Sequence, residues 1–255
     1  MKLLRKTYRL LKKRNEKPTK FDESGKVELY GKYFSFHHKG AFLATHAEIF
    51  IKGIYTFNTK SSPSIIIDCG ANMGLSLLFF CKNYPESKIY AFEPDDSVFG
   101  FLLQNIKTYE MNQVELFKKA VWTSDGFLEF YTDKGLGGRL DKSYEDQIPI
   151  KVETVSLKEF IGTQKIDLLK MDIEGSEFDV LKDCELVLNQ IDNIFIEYHS
   201  VVNEEQKLDE MLLILKRNGF RYHLAQSFSH EKPFVENTII CERFDMAINI
   251  FGYKN

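Results

Sequence analysis

The sequence predicts an α/β fold with a mostly parallel central sheet and helices on both faces. From residue 64 onward, short apolar stretches alternate with longer helical patterns, and strands joined by crossover helices form parallel sheets. A second observation is a buried-strand pattern that ends at Asp68 and is followed by Gly70 and Gly74, which is typical of a strand that turns sharply into a helix. The composition fits, because 255 residues with 44% apolar and 14% aromatic content can bury a full core.

The N-terminal residues precede this alternating pattern and divide into two parts. Residues 1–20 carry nine Lys or Arg residues against one acid, which predicts either a solvated helix or a basic amphipathic helix that rests on an anionic membrane surface. Residues 21–62 are rich in aromatic residues and are expected to form a cap. The cap should contain a hairpin at 28–36 around Gly31 and a short helix at 45–55.

Residues 63–255 are predicted to form the larger domain. Its strands are expected at 64–69, 88–92, 114–121, 166–172, 193–198, 220–226 and 237–250, and its helices at 75–84, 95–109, 176–190 and 203–218. Between the third and fourth strands, residues 126–131 and 148–155 predict additional β structure on either side of the glycine-rich loop 135–139. Asn218-Gly219 is a stop signal for the last helix.

Composition and charge exclude several classes of function. No apolar run reaches the roughly 18 residues of a membrane span, and no secretory signal is recognised, so the chain is expected in the cytoplasm, with peripheral contact at the inner membrane face as an option for residues 1–20. The four cysteines form no Cys-x-x-Cys pair, so they predict no metal or redox site. The net charge of −3 gives the main domain no basic face, so nucleic acid is not an expected partner.

The turn that follows Asp68 predicts a site for a nucleoside. The next predicted strand ends in Glu93 and Pro94, and an acid at that place binds ribose hydroxyls in open α/β sheets. A dinucleotide site needs the pattern G-x-G-x-x-G, but Asn72 and Leu75 occupy its second and third glycine positions, so the seat for a pyrophosphate is missing. A carboxylate at Asp68 would repel phosphates and suits a ligand with an amino group, such as S-adenosylmethionine.

Five blocks follow one another along this chain: Asp68-Cys-Gly-Ala-Asn-Met-Gly74, Ala91-Phe-Glu-Pro94, Lys119-Ala-Val121, Leu169-Lys-Met-Asp-Ile-Glu-Gly-Ser-Glu177 and Phe195-Ile-Glu-Tyr-His199. In order and spacing they resemble the FkbM family of S-adenosylmethionine-dependent methyltransferases. The resemblance covers about residues 28–252, and the block from Lys170 to Glu177 is its most specific part. It implies a class I methyltransferase (Rossmann-like) fold, with a seven-stranded sheet whose last strand is antiparallel, and methylation of hydroxyl oxygens of sugars, glycans or polyketides.

The resemblance also implies a binding residue for each part of the cofactor. These residues are Gly70, Ala71, Asn72 and Gly74 at the methionine end, Asp68 at the amino group, Glu93 with Pro94 at the ribose diol, Val121 and Trp122 near the adenine, and Asp172 as a further contact. Trp122 can equally be a packing residue, since the backbone of its neighbours would serve the adenine as well.

Chemistry is expected at the carboxyl ends of the fourth and fifth strands, beside the point where the strand order reverses. Lys170, Asp172 and Glu174 share one side of the fourth strand, and Glu197 and His199 share one side of the fifth. A hydroxyl acceptor needs a base to take its proton. Histidine has the intrinsic pKa nearest neutrality, which favours His199, and the carboxylates of Asp172 and Glu174 are the alternatives.

Two other interpretations of these residues stay open. Lys170 lies between apolar neighbours and can simply neutralise Asp172 or Glu174 in an ion-paired strand end. A divalent ion held by Asp172, Glu174 or Glu197 would instead lower the pKa of the acceptor hydroxyl. Metal-free catalysis is favoured, because no further carboxylates mark a cage of oxygen ligands.

The acceptor is expected to contact Glu174, Glu197, His199 and Arg139. Arg139, in the glycine-rich loop, would bind a carboxylate or phosphate on the acceptor, and aromatic residues of the cap would stack on a sugar ring. The alternatives are that these aromatic residues cover a sheet edge, that Arg139 is a surface residue, and that His37-His38 are surface or capping residues.

Two competing functional hypotheses use the same strand, turn and helix. One is a nucleotide-dependent oxidoreductase or epimerase, which would bind NAD but not the sulfonium cofactor. The other is a non-catalytic adapter, which would bind the cofactor without turning over any acceptor.

Overall fold

The structure, a computed structural model, describes residues 23–60, 62, 64–132, 138–140, 150–236, 238–240 and 244–254. The basic segment 1–20 and residues 133–137 lie outside the described residues, so the predictions for them stay predictions. Within the described part, no helix combines the length and the apolar character that crossing a bilayer requires.

The chain order of the elements alternates strands and helices after the first hairpin. The strands are β1 (Gly25–Leu29), β2 (Lys32–Phe36), β3 (Ile65–Cys69), β4 (Lys88–Phe92), β5 (Val114–Phe117), β6 (Ala120–Trp122), β7 (Gly126–Thr132), β8 (Gly138–Leu140), β9 (Ile150–Ser156), β10 (Ile166–Met171), β11 (Ile191–Val201), β12 (Arg221–Ser229) and β13 (Phe244–Tyr253). The helices are α1 (Lys39–His46), α2 (Leu75–Asn83), α3 (Asp96–Tyr109), α4 (Leu157–Ile161), α5 (Glu177–Asp183) and α6 (Leu208–Arg217), with a π-helical turn at Ala47–Lys52 and a 3₁₀ segment at Cys184–Gln190.

Seven strands form the central sheet in the order β12-β13-β11-β10-β3-β4-β5. The five strands from β11 to β5 are parallel, and β13 lies antiparallel between β11 and β12. The prediction of a mostly parallel seven-stranded sheet with an antiparallel last strand is therefore confirmed. The chain order reverses between β3 and β10, where Asp68 and Lys170 are register partners. The carboxyl ends of β3, β10 and β11 consequently lie side by side at one edge of the sheet.

An apolar core covers each face of the sheet. One core joins β10 and β11 to α4, α5 and α6, and all six residues of Ile166–Met171 are buried. The other joins the sheet to α2, α3 and the N-terminal hairpin through residues such as Phe34, Phe80 and Leu102. A parallel strand that is buried on both faces has a nearly continuous apolar sequence, and Lys170 interrupts it. A charge at this depth needs a partner.

The predicted hairpin of the cap is present, because β1 and β2 pair antiparallel around the turn at Tyr30-Gly31. Asn105 of α3 ties this hairpin to the glycine turn. Its Oδ1 accepts from the amide of Ser35 at 2.8 Å, and its Nδ2 donates to the carbonyls of Ser35 at 2.7 Å and Met73 at 2.9 Å. Asn105 is fully buried, so these bonds satisfy a side chain that would otherwise be costly to bury. The boundary between cap and larger domain stays a prediction.

The prediction for the cap helix was wrong at both ends. The helix α1 begins at Lys39 rather than at residue 45, and its N-cap is His38, whose Nδ1 accepts from the amide of Ala41 at 3.0 Å. The helical segment continues as the π-helical turn, and this turn ends at its C-cap Gly53, which has φ +71. A capping histidine is not among the common N-cap residues, which explains why the sequence pattern missed this start.

Other predicted bounds also differ from the structure. The strand expected at 114–121 is two strands, because β5 pairs with β4 in the central sheet while β6 pairs with β9 in a separate sheet. The helix expected at 176–190 ends at Asp183 and continues as the 3₁₀ segment. The helix expected at 203–218 begins only at Leu208, since Asn203 has φ +66, which an α-helix does not allow. The last strand runs over Phe244–Tyr253 rather than 237–250.

The predicted additional β structure is present as a four-stranded sheet in the order β6-β9-β7-β8. The strand β9 is parallel to β6 and antiparallel to β7. The turn between β6 and β7 is held by Asp125, whose Oδ1 accepts from the amide of Ser156 at 2.8 Å.

Candidate active site

The turn after β3 presents backbone rather than side chains at the edge of the sheet. Gly70 has φ +87, and a Cβ atom on it would lie 1.9 Å from the carbonyl oxygen of Asp172. Only glycine fits this position, because the distance is far below van der Waals contact and the left-handed region favours glycine. The amides of Gly70 and Ala71 both donate to the carbonyl of Phe92 at 3.0 Å, which fixes the turn against β4.

Glu93, just after β4, holds the next part of the turn. Its Oε2 accepts from the amide of Asn72 at 2.9 Å, and its Oε1 accepts from the amide of Asp95 at 2.8 Å. Burial raises the pKa of Glu93 to about 7, although the two amide hydrogen bonds lower it. Glu93 therefore orders the turn itself, and its contact with a ribose stays a prediction.

Lys170 and Asp68 form a buried ion pair beneath this turn. The Nζ atom of Lys170 lies 3.1 Å from Oδ1 of Asp68 and donates to the carbonyl of Gly70 at 2.6 Å. Ser76 donates to the other carboxylate oxygen of Asp68 at 2.5 Å. Burial lowers the pKa of Lys170, but Asp68 and Asp172 raise it more, and the result is well above its usual range. Lys170 is thus a permanent cation and cannot act as a base.

The interpretation that Lys170 neutralises Asp172 is confirmed, because Nζ lies 3.6 Å from Oδ2 of Asp172. Asp68 is an additional and nearer partner, at 3.1 Å. The reason is the register of the sheet, which makes Asp68 the direct neighbour of Lys170 on β3. Asp68 is fully buried, so its predicted contact with the amino group of the cofactor stays a prediction.

A cavity of about 210 Å³ lies at the carboxyl edge of β3, β10 and β11. One wall is the glycine turn from Gly70 to Met73, and the cap contributes α1 and the π-helical turn. The polar residues of its lining include Asn72, Lys170, Asp172, Glu174, Glu197, His199 and Glu48. The cavity therefore brings Gly70, Ala71 and Asn72 of the predicted methionine end into one space with the predicted catalytic residues, whereas Gly74 does not line it.

His199 lies between two carboxylates at the wall of this cavity. Its Nδ1 is 3.0 Å from Oε1 of Glu177, and its Nε2 is 3.5 Å from Oε2 of Glu174. Burial lowers the pKa of His199, but Glu174, Glu177 and Glu197 raise it more, so the pKa lies well above its usual range. His199 is accordingly an imidazolium at neutral pH. This charge argues against His199 as the base, the role that its intrinsic pKa suggested.

Glu177 is a site residue to which the sequence reasoning assigned no role. It is 1% exposed and accepts hydrogen bonds from the amides of Ile173 and Gly175 in addition to its contact with His199. Glu177 is the first residue of α5, and an acid in the first turn of a helix is usually explained by the helix dipole. Its position in the most specific of the five sequence blocks was the available signal.

The carboxylates of Glu197 and Asp172 line the same cavity and repel each other. Burial and the nearby carboxylate of Asp172 together raise the pKa of Glu197 to about 7, although His199 and a hydrogen bond from Ser227 lower it. Glu174 adds an unusual backbone, since it has φ +56 without being glycine. Such strained conformations are concentrated at functional sites.

Asp172, Glu174 and His199 also have the spacing of a possible metal site, because one donor atom from each lies within 4.8 Å of the others. Nε2 of His199 lies 3.5 Å from Glu174 and its Nδ1 lies 3.0 Å from Glu177, which are ion-pair distances. We therefore interpret the group as an ion-paired cluster, and metal-free chemistry stays a prediction.

Several predicted residues do not line this cavity or cannot be placed in it, and besides Asp68, Gly74 and Glu93 they include four others. Val121 is buried in the core, Trp122 is half-buried against apolar neighbours, and Pro94 follows Glu93 at the end of β4. Their contacts with the cofactor stay predictions. Arg139 lies in β8, opposite Tyr131, but its side chain is outside the described residues, so its predicted role stays a prediction.

The aromatic residues of the cap mostly pack in the interior. Phe34, Phe36 and Phe42 are buried in the core that covers the α2 face, whereas Tyr55 reaches the cavity. The interpretation that these rings cover the sheet therefore describes most of them. The cap still contributes to the cavity, but largely through small residues and Glu48 rather than through stacking rings.

Sequence comparisons with known proteins point to methyltransferases. The family model described as "Methyltransferase FkbM domain" matches residues 68–222. The chain is 29% identical over 177 residues to Methyltransferase 1 of Beauveria bassiana, which covers 60% of this chain and 71% of the relative. It is 26% identical over 159 residues to the 2-O-methyltransferase NoeI of Sinorhizobium fredii, and the match covers 54% of this chain and 64% of the relative. It is also 25% identical over 143 residues to the hexuronic acid methyltransferase AglP of Haloferax volcanii, where the match covers 54% of this chain and 57% of the relative.

Solved structures with similar folds carry the same kind of description. The SAM-dependent methyltransferase of Agrobacterium tumefaciens matches with a TM-score of 0.51 at 11% identity, covering 94% of this chain and 72% of that chain. Methyltransferase FkbM of Methylobacillus flagellatus matches with a TM-score of 0.50 at 15% identity, and the match covers 80% of this chain and 47% of that chain. This chain thus spans about half the length of the Methylobacillus protein. At such low identities the likeness shows the fold alone.

Proposed function

Because this chain belongs to the FkbM family of methyltransferases, we propose that it methylates a hydroxyl oxygen of a sugar, a glycan or a related natural product. Its class as a methyltransferase and its cofactor, S-adenosylmethionine, follow from the family. The acceptor and the roles of individual residues are the proposal.

The observation that carries the proposal is the single cavity that joins the glycine turn to the charged cluster of β10 and β11. The turn supplies backbone groups at the place where the family binds the methionine end of the cofactor. The cluster supplies three carboxylates and a cation within the same space. A methyl donor at the turn would therefore have acid and base groups next to its reactive end.

The reaction itself sets what these residues must do. Methyl transfer from a sulfonium is an in-line displacement, which needs alignment of donor and acceptor and little other help. A sugar hydroxyl is a poor nucleophile until its proton is removed, and a positioned base contributes about 10² to 10⁴ in rate. The base must be deprotonated at working pH and still have a useful affinity for a proton.

Glu197 meets this requirement better than the other groups of the cavity. Its pKa of about 7 is close to the working pH, where general bases are most effective. His199 holds its proton and serves instead as a hydrogen-bond donor to the acceptor oxygen, where charge develops as the proton leaves. Lys170 maintains the shape of the glycine turn through its bond to the carbonyl of Gly70.

The charges of the cavity favour a neutral or amino-bearing acceptor. Four carboxylates line it, those of Glu48, Asp172, Glu174 and Glu197, and they outnumber the imidazolium of His199. Lys170 is paired with Asp68, and Glu48 forms an exposed ion pair with Lys52 at 3.2 Å. A carboxylate or phosphate on the acceptor would meet like charges here. The name of the Sinorhizobium relative, a 2-O-methyltransferase, supports transfer to oxygen. The Haloferax relative is named for a hexuronic acid, an acceptor that these charges disfavour.

A direct test combines cofactor binding with turnover. Calorimetry against S-adenosylmethionine, its demethylated product and NAD is expected to show binding of the first two compounds. Transfer of labelled methyl groups to a panel of neutral sugars, amino sugars and uronates is expected to give an O-methylated product from the first two classes. NAD binding without sulfonium binding would favour an oxidoreductase, and cofactor binding without turnover of any acceptor would favour an adapter.

A further inference from the structure

Glu177 connects three segments that carry the charged residues of the site. Its Oε1 lies 3.1 Å from the amides of Ile173 and Gly175, and its Oε2 lies 3.0 Å from the amide of Gly175. The same Oε1 contacts Nδ1 of His199 on β11 at 3.0 Å. One buried carboxylate thus joins the start of α5, the turn that carries Glu174, and the strand that carries His199.

These contacts leave His199 little freedom. Its Nδ1 is taken by Glu177, so Nε2 is the nitrogen that faces the cavity and Glu174. The ring of Phe244 on β13 lies over the imidazole with ring centres 4.7 Å apart, and it carries no charge. Among the described residues, the charged groups around His199 include Glu177 from α5, Glu174 from the preceding turn, Asp172 after β10 and Glu197 from its own strand.

We infer that Glu177 is a positioning residue that holds His199 through Nδ1 and so directs a protonated Nε2 toward the acceptor oxygen. This inference rests on the proposed function, because it assigns a role within the same site. Glu177 is not part of the lining of the cavity, so in this proposal it acts through His199, while it also accepts from the amides of the turn that carries Glu174. A buried carboxylate that holds the far nitrogen of a histidine fixes which nitrogen carries the functional proton.

The proton balance of the reaction is compatible with this arrangement. The bond between the acceptor oxygen and the methyl carbon forms as the bond between that carbon and sulfur breaks. The acceptor proton passes to the carboxylate of Glu197, and the sulfur keeps the electron pair of the broken bond. His199 begins and ends the step as an imidazolium, so Glu177 must keep it charged throughout.

The first test measures His199 directly. Long-range ¹H–¹⁵N spectra of the labelled full-length protein report the protonation of each imidazole nitrogen, and His199→Asn identifies the resonances. Both nitrogens of His199 are expected to carry protons at pH 7 in the wild type. Glu177→Gln is expected to lower the proton affinity of His199 at least about tenfold, since it removes one charge that stabilises the imidazolium. Asp179 is an exposed acid in the same helix turn, so Asp179→Asn is the matched control, and it should leave the proton affinity of His199 unchanged.

The second test separates positioning from a purely structural role. Glu177→Gln is expected to lower kcat about 10²-fold with an unchanged Kd for S-adenosylmethionine, while Glu177→Asp, which keeps the charge, retains part of the activity. An unchanged proton affinity of His199 in Glu177→Gln, or an equal loss in Asp179→Asn, overturns the inference. If Glu177→Gln does not fold, a neutral His199 in the wild-type spectrum at pH 7 overturns it. Absence of turnover in the wild type counts against the proposed function alone, because the spectra need no acceptor.

Discussion

Replacement of Lys170 by methionine is expected to destabilise the protein strongly, because it leaves Asp68 buried without its cation. The Lys170 side chain is 3% exposed and that of Asp68 is fully buried, with 3.1 Å between Nζ and Oδ1. Removal of one partner of such a pair costs about 3–5 kcal/mol, since the remaining charge is neither paired nor hydrated. The bond from Lys170 to the carbonyl of Gly70 is lost as well. Domains of this kind are stable by about 5–15 kcal/mol in total, so the loss is a large fraction.

Urea unfolding of four proteins provides the assay. They are the wild type, Lys170→Met, Asp68→Asn and the double variant, which together form a double-mutant cycle. The double variant is expected to be more stable than Lys170→Met, because no isolated buried charge remains in it. Lys88→Met is the control, since Lys88 forms an exposed ion pair with Glu115 at 3.3 Å and its unfolding midpoint should change little.

Two results would refute this reasoning. One is a Lys170→Met variant that unfolds at the same urea concentration as the wild type. The other is a double variant whose loss of stability equals the sum of the two single losses. Either result would mean that the attraction between Lys170 and Asp68 does not offset the cost of burying them.

Three further predictions concern binding and turnover. Gly70→Ala should abolish binding of S-adenosylmethionine in calorimetry, because the added Cβ would overlap the carbonyl of Asp172. The control Gly100→Ala should bind the cofactor normally, since Gly100 has open space around it. Equal binding by the two variants would contradict the steric argument. Glu197→Gln should lower kcat about 10² to 10⁴-fold. In the wild type, kcat should rise as the pH increases through about 7, because the base acts only when it is deprotonated. A flat pH profile of kcat would exclude Glu197 as the base. A neutral sugar should be methylated faster than the matching uronate, and Glu48→Gln should narrow the difference by removing one repelling charge; equal rates for both sugars in the wild type would refute the electrostatic selection.

The turn after β3 could be predicted from the sequence because its signals are local. Gly70 and Gly74 both have positive φ, and a chain that leaves a buried strand for a helix needs such residues within a few positions. A mostly parallel sheet could likewise be expected, since alternating strands and helices imply right-handed crossovers. Its seven strands with an antiparallel last strand were implied by the resemblance to the family. Some of the bounds that were wrong are decided by distant partners. Residues 114–121 look like one strand, yet pairing with β4 and with β9 assigns them to two sheets.

The candidate site also has features that local sequence signals predicted and features that depend on distant contacts. Strand periodicity placed Lys170, Asp172 and His199 at one edge of the sheet, and the structure brings all three to one cavity. The sequence pattern paired Lys170 with its near neighbour Asp172, and that ion pair is present, but the register with β3 adds a nearer partner, Asp68, that the pattern did not predict. It also favoured His199 as the base from an intrinsic property of histidine, before the carboxylates around it were known.

The sequence by itself determined the family, the glycine turn after β3 and the two strand ends that carry polar residues, because glycine conformations, strand periodicity and motif spacing are encoded over short distances along the chain. Only the tertiary structure decided which charges pair, which residues hold their protons and that Glu177 holds His199. Those properties depend on burial and on Coulomb interactions between groups such as Asp68 and Lys170, which are neighbours in space but far apart in the chain.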